Sequence, residues 1–186
     1  MSQDLTQASH QQIGAKVGDF RLATLGGTTI CLKTLLEGKR GAVVVFWSAV
    51  CSHCVRYDGF LNALVERCPA LGFLAVASRS GETAEQIRAA VQQRKLLFPI
   101  ALDPGSLVAR LWCTQQTPRA FLVDADGLLL FRGALDNYRY PGDIEYAAYL
   151  EPAIAQFLSR SPITKTETAS FGCAIDSVYY KFPRAL

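Results

Sequence analysis

Two cysteines with two residues between them, Cys51 and Cys54, stand in the run Val43-Val-Val-Phe-Trp-Ser-Ala-Val-Cys-Ser-His-Cys54. Residues so spaced can close a small disulfide ring with little backbone movement. A thiolate is the nucleophile of disulfide exchange, so the pair could shuttle two electrons and two protons. The chemistry needs the first sulfur ionised near neutral pH. The β-branched run from Val43 reads as a strand buried on both faces. Val55 to Cys68 carries apolar side chains at helical spacing, with Tyr57, Leu61, Leu64, Val65 and Cys68 on one face. Cys51 and Cys54 therefore fall where a strand ends and a helix starts, and peptide N–H groups and the helix dipole favour an anion there. That dipole is worth about 0.3–1 kcal/mol, and up to ~2 when partly buried, which is roughly one pKa unit. A larger depression requires Ser52, His53 or the Cys54 thiol to help hold the charge.

The rest of the chain must position this pair. It has 186 residues, half of them hydrophobic and 19% charged, enough for one domain with a sizeable core and too apolar for disorder. Its +3 charge, with no basic block, argues against nucleic acid or an anionic membrane surface as partner. No apolar run approaches the roughly 18 residues of a membrane span. Residues 1–13 lack a secretory h-region, which points to the cytoplasm; removal of a signal peptide would leave the same trace and place the protein outside it. The six cysteines are scattered apart from the one close pair, unlike a disulfide-stapled mini-domain. Cys68 and Cys113 each end an apolar helix face and read as small core hydrophobes, with Cys31 core or half-buried on a short strand.

The spacing predicts a loose arm over residues 1–15, a domain over 16–160 and a polar tail over 161–186 that packs on it. Asp19–Leu22 and Thr28–Leu32 flank Gly26-Gly27 as an N-terminal β-hairpin. A short helix over Leu32–Glu37 follows, then the strand Ala42–Trp47 and a helix from Ser52 to Cys68. Leu71–Ala77 is a second buried strand, and a helix opens at Ser80-Gly81-Glu82-Thr83. Phe98–Leu102 is a third strand, placed at an edge by Pro99. A short helix spans Leu107–Cys113, and Ala120–Val123 and Leu128–Phe131 form a hairpin around Asp124-Ala-Asp-Gly127. A last helix covers Ile144–Arg160. This order makes an α/β fold with a central mixed sheet flanked by helices.

With these elements in place, Phe46–Cys54 resembles the active-site segment of the thioredoxin superfamily. Thr117-Pro118, ahead of the Phe121 strand, stands where that family has its cis-proline loop. Asp19–Leu22, Asp124–Gly127 and Phe131-Arg132-Gly133 resemble the redoxin branch, which includes TlpA/ResA-type thiol–disulfide oxidoreductases and AhpC/TSA-type peroxidases. The resemblance covers about residues 16–160. It implies a thioredoxin-like fold and dithiol–disulfide exchange. Cys51 would be the exposed nucleophile and Cys54 the partly buried resolving thiol. Trp47 would shape the loop or simply pack in the core. Thr117 and Pro118 would present a substrate strand by β-addition. Partners would be protein thiols or disulfides held in transient mixed disulfides. No cofactor is implied, and the resemblance leaves the oligomeric state open.

His53 would put a cation beside the thiolate, stabilise the reduced form and raise the potential above the roughly −270 mV of thioredoxin; the alternative is that it points to solvent. Many thioredoxins carry a buried Asp where this chain has Val45, and ResA-type proteins a Glu where it has Tyr57. Proton transfer would then fall to water, the Tyr57 hydroxyl or His53. Two other function classes remain. Ser48, three residues before Cys51, fits a peroxidase reducing hydroperoxides through Cys51, but such enzymes need Pro where Val44 stands and a helix-borne Arg where only Arg119 is near. A non-catalytic binding or metal-carrier module would use Cys51, His53, Cys54 and Cys173, yet a second clear ligand pair is missing. Cys173, in Phe171-Gly-Cys-Ala-Ile175, is either a buried anchor for the tail or an accessory redox thiol.

Overall fold

The computed structural model describes residues 12–139 and 145–176. His10 and most of the predicted arm lie outside them. The strands are β1 (Arg21–Thr24), β2 (Thr29–Cys31), β3 (Gly41–Trp47), β4 (Leu71–Ala77), β5 (Ile100–Leu102), β6 (Gln116–Thr117), β7 (Arg119–Asp124), β8 (Leu129–Gly133) and β9 (Cys173–Ala174). The helices are α1 (Leu32–Leu36), α2 (Ser52–Val55), α3 (Asp58–Arg67), α4 (Ala84–Arg94), α5 (Leu107–Leu111) and α6 (Leu150–Leu158). Seven strands form one mixed sheet in the order β2-β1-β5-β4-β3-β7-β8, and β6 pairs with β9 apart from it.

All seven residues of β3 are buried because the strand is covered on both faces. Side chains alternate along it. Val43, Val45 and Trp47 join Leu61, Leu64, Ile87 and Ile154 from the helices on one face. Ala42, Val44 and Phe46 join Leu32, Leu35, Trp112 and Phe121 on the other, with Phe46 and Phe121 both edge-on to Trp112. β3 runs parallel to β4 and antiparallel to β7, so its C-terminal end opens at one rim of the sheet. Helix α4 starts on a reciprocal cap: the Thr83 hydroxyl accepts from the Gln86 N–H, and the Gln86 side chain accepts from the Thr83 N–H.

Four expectations are corrected. The predicted helix from Ser52 to Cys68 is two helices, broken at Arg56-Tyr57. The Tyr57 N–H bonds the Cys54 carbonyl in a tight three-residue turn, its hydroxyl donates to Asp136, and Asp58 next to it is held by Trp47. β5 is no edge strand. Pro99 stands before it, while β1 pairs on its outer side and β4 on its inner side. The last helix begins at Leu150 rather than Ile144, because Ala147 and Tyr149 are taken up by backbone bonds with Asn137 and Leu135; Ile144 itself lies outside the described residues. Cys113 is exposed, in a positive-φ turn that ends the helix before its face meets the core. Cys31 and Cys68 are half-buried. Gly14 and Ala15 exchange backbone bonds with Leu129, so the described chain is already attached to the sheet ahead of residue 16.

Candidate active site

Cys51 caps the N-terminus of α2 at the rim where β3 ends. The Cys54 and Val55 N–H groups bond back to its carbonyl. Because α2 has only four residues, the macrodipole expected from a long helix is largely absent, and individual hydrogen bonds carry the electrostatics instead. The Cys54 thiol donates to the Cys51 sulfur. The Cys173 thiol, the Thr117 hydroxyl and the Cys54 N–H add smaller contributions. Together they outweigh burial and lower Cys51 to about 4, so it is a thiolate at neutral pH. Cys54 goes the other way: burial, then the adjacent Cys51, pushes its thiol well up, against a backbone bond from Ser48. One sulfur is thus ionised and its mate stays protonated.

Cys51, expected to be exposed, is fully buried. The cover is the tail. β9 pairs antiparallel with β6, Thr117 opposite Cys173, and this lays Cys173 over Cys51. When protonated, Cys51 donates to the Thr117 carbonyl at 3.3 Å. The Thr117–Pro118 bond is cis. The buried Thr117 hydroxyl finds no oxygen or nitrogen partner and faces the sulfurs of Cys51 and Cys54.

Among the other expected residues, Ser52 is exposed on the first turn of α2. The His53 ring stacks edge-on against Phe171 of the tail, centroids 5.1 Å apart, and is not among the groups that hold the Cys51 charge. Burial, then the hydrogen bond it donates to Asp136 at 2.5 Å, raises the Tyr57 hydroxyl, which is committed to that carboxylate. Trp47 is fully buried, edge-on to Phe98, with its Nε1 donating to Asp58 at 2.9 Å.

Sequence reasoning missed three residues that hold the loop. Asp58 also pairs with Arg94 at 3.2 Å, and Arg94 donates to the Ala49 carbonyl, so Trp47, Asp58 and Arg94 clamp the turn before Cys51. The third is Glu82, whose Oε1 accepts from the Ser48 hydroxyl at 3.1 Å and the Val50 N–H at 3.2 Å. Its Oε2 is buried without a partner, and burial raises its carboxyl. Asp58 carried a faint signal, seven residues after Cys51. Arg94, at the end of α4, and Glu82, just ahead of its Thr83 cap, carried none, since both reach the loop only through the folding of that segment against it. Among the described residues no group of His, Cys, Asp and Glu is arranged to hold a metal ion, and no helix is long and apolar enough to cross a membrane.

This chain is 32% identical over 116 residues to a thiol-disulfide oxidoreductase ResA of Bacillus cereus, covering 62% of this chain and 66% of the relative. It thus spans about two thirds of the length of that curated relative. A hypothetical protein of Sinorhizobium meliloti 1021 superposes with a TM-score of 0.80 at 26% identity, over 88% of this chain and 93% of its own. The thioredoxin domain of a thiol-disulfide oxidoreductase from Bacteroides vulgatus superposes at 0.59 and 20% identity, over 69% and 90%, and shows the fold to be thioredoxin-like. Residues 13–132 match the AhpC/TSA family, and the chain belongs to that family.

Proposed function

We propose that the protein is a thiol–disulfide oxidoreductase acting on protein thiols and disulfides through Cys51 and Cys54. The observation that carries the reading is the placing of two free, buried cysteines on one turn, Cys51 at the cap of α2 and Cys54 bonded back to its carbonyl, an arrangement that pushes Cys51 down and Cys54 up. The thiolate attacks a substrate disulfide, and a Cys51–substrate bond forms as the substrate's own bond breaks. The Cys54 thiol then attacks the Cys51 sulfur. Its proton leaves with the departing substrate thiolate, and the Cys51–Cys54 disulfide remains. Run backwards, the same steps oxidise a substrate dithiol. Thr117 and Pro118 would offer a backbone edge to a substrate strand once β9 is displaced from it, and Val50 and Val55, which flank the cysteine pair in the chain, are exposed apolar residues.

The peroxidase alternative finds less support. The Ser48 hydroxyl is spent on Glu82, and Arg119 is half-buried with its guanidinium 5.8 Å from the Phe121 ring. Insulin reduction with dithiothreitol, run beside hydroperoxide consumption, tests the proposal. Disulfide reduction that disappears in Cys51→Ser supports it. Hydroperoxide turnover without disulfide reduction overturns it.

A further inference from the structure

The tail does more than rest on the domain. From Thr166 to Thr168 it runs beside β8, with Arg132 paired to Glu167 at 2.8 Å and the Thr168 hydroxyl accepting from the Ala134 N–H. It then crosses the site: Phe171 meets His53, Gly172 passes over Thr117-Pro118, and Cys173-Ala174 adds to β6 as a strand. A Cβ on Gly172 would collide with the Thr117 carbonyl oxygen, so only glycine lets the backbone this close. Beyond the site, Ile175 is buried, its N–H bonding the Gln115 carbonyl at 2.9 Å and its carbonyl accepting from Ser80 at 2.8 Å. Asp176 accepts from the Ser106 hydroxyl at 3.0 Å. The segment is fixed at both ends with a cysteine over the nucleophile. An extended strand paired to Thr117 with its thiol against Cys51 has the form of a bound substrate.

We infer that Cys173 is a third redox thiol of this site, carried on a tethered strand that occupies the substrate's place and exchanges with Cys54 for the Cys51 sulfur. The inference rests on the exchange chemistry proposed above. Starting from the Cys51–Cys54 disulfide, the Cys173 thiolate attacks Cys51, a Cys51–Cys173 bond forms and the Cys51–Cys54 bond breaks. The electron pair goes to the Cys54 sulfur, which takes up the proton Cys173 gave away. One disulfide and one thiol stand on each side, so no outside oxidant or reductant enters. Burial, then the adjacent Cys51 thiolate, holds the Cys173 thiol above its ordinary value, and Arg79 opposes that rise. With Cys51 tied up in its disulfide the Cys51 contribution is gone, and Arg79 supports the Cys173 thiolate against burial alone. An incoming protein strand must displace β9, and in the Cys51–Cys173 isomer it must arrive as a thiolate able to cleave that bond.

The test uses the full chain. Reduced Cys54→Ser protein is treated with one equivalent of diamide, which removes two electrons and two protons. It is then quenched with N-ethylmaleimide, digested and mapped by mass. The expected result is a monomer whose Cys51 and Cys173 peptides are joined. Cys51 joined to Cys31, Cys68, Cys113 or a second chain, with Cys173 alkylated, overturns the inference. Should that variant not fold, wild type poised half-oxidised in glutathione buffer is mapped instead: a Cys51–Cys173 fraction lost in Cys173→Ser is expected, and its absence refutes. Gly172→Val checks the strand without touching a thiol. Alkylation of Cys51 by iodoacetamide should rise about tenfold as the tail lifts, and an unchanged rate contradicts the pairing. Capture of oxidised glutathione at Cys51 of Cys54→Ser, with Cys173 still alkylatable, would sink the tail's role and leave the oxidoreductase reading intact. A Cys51 that captures nothing would sink that reading as well.

Discussion

Replacing Cys54 with alanine removes the largest single support of the Cys51 thiolate. A hydrogen bond to a charged group is worth about 1.5–3 kcal/mol and one pKa unit about 1.36 kcal/mol, so Cys51 should climb by about one to two units from its value near 4. Cys173 and Thr117 still hold part of the charge, which keeps the rise from being larger. The consequence at pH 7 is counterintuitive. Even after the climb almost all Cys51 remains ionised, so thiolate supply does not fall, and a more basic thiolate is intrinsically more nucleophilic. With a Brønsted slope of about 0.4–0.5, alkylation at pH 7 should run about two- to tenfold faster in Cys54→Ala. The assay is iodoacetamide alkylation of the Cys51 peptide, resolved by mass, across pH 3–9. The rate midpoint should shift upward and the plateau rise. Cys54→Ser, which keeps a donor, should stay near wild type. An unmoved midpoint in Cys54→Ala, or an equal shift in the serine variant, would refute the assignment of the thiol as the donor that matters.

Three further outcomes follow from the same contacts. The Cys51 pKa is depressed on folding, so the unfolded reduced chain binds more protons between pH 4 and 9; reduced wild type should gain stability over Cys51→Ser as pH rises through that window and lose the gain toward pH 4, read as urea midpoints. Asp58→Ala strands the buried Trp47 N–H and the Arg94 cation, and should lower unfolding free energy by about 3 kcal/mol; Asp58→Asn, which keeps an acceptor for Trp47, should lose less, both by urea denaturation. Glu82 has the opposite sign to Cys51: its carboxyl is raised by burial, so its contribution is present below the ordinary value of 4.5 and is lost as pH climbs through the folded value. Wild-type stability relative to Glu82→Gln should therefore fall as pH rises above 4.5, and a flat difference would contradict the buried, unpartnered Oε2.

The particular residues show where the line between sequence and structure runs. Val43 to Trp47 is continuously apolar, and Leu71 to Ala77 likewise, so both central strands were legible: burial on two faces leaves one solution for such runs. The Gly26-Gly27 hairpin and the Asp124–Gly127 turn announced themselves by local backbone chemistry. The break at Arg56-Tyr57 did not, because the apolar face continues across it and its cause, Asp136, is 79 residues away. Pro99 misled for a related reason: a proline demotes the strand it sits in, and here it sits just outside.

By itself the sequence determined the layer order, the two-faced core and the placing of Cys51 and Cys54 at a strand's end, since these depend on periodicity and on residues adjacent in the chain. Tertiary structure alone decided how the site is charged and covered. The groups that set the Cys51 thiolate include Thr117 and Cys173, and those that hold its loop include Glu82 and Arg94. All of them are brought together by chain crossings of tens of residues. Hydrogen bonds and ion pairs act over a few ångströms, so their partners are fixed by the folded path, and spacing along the chain carries no trace of them.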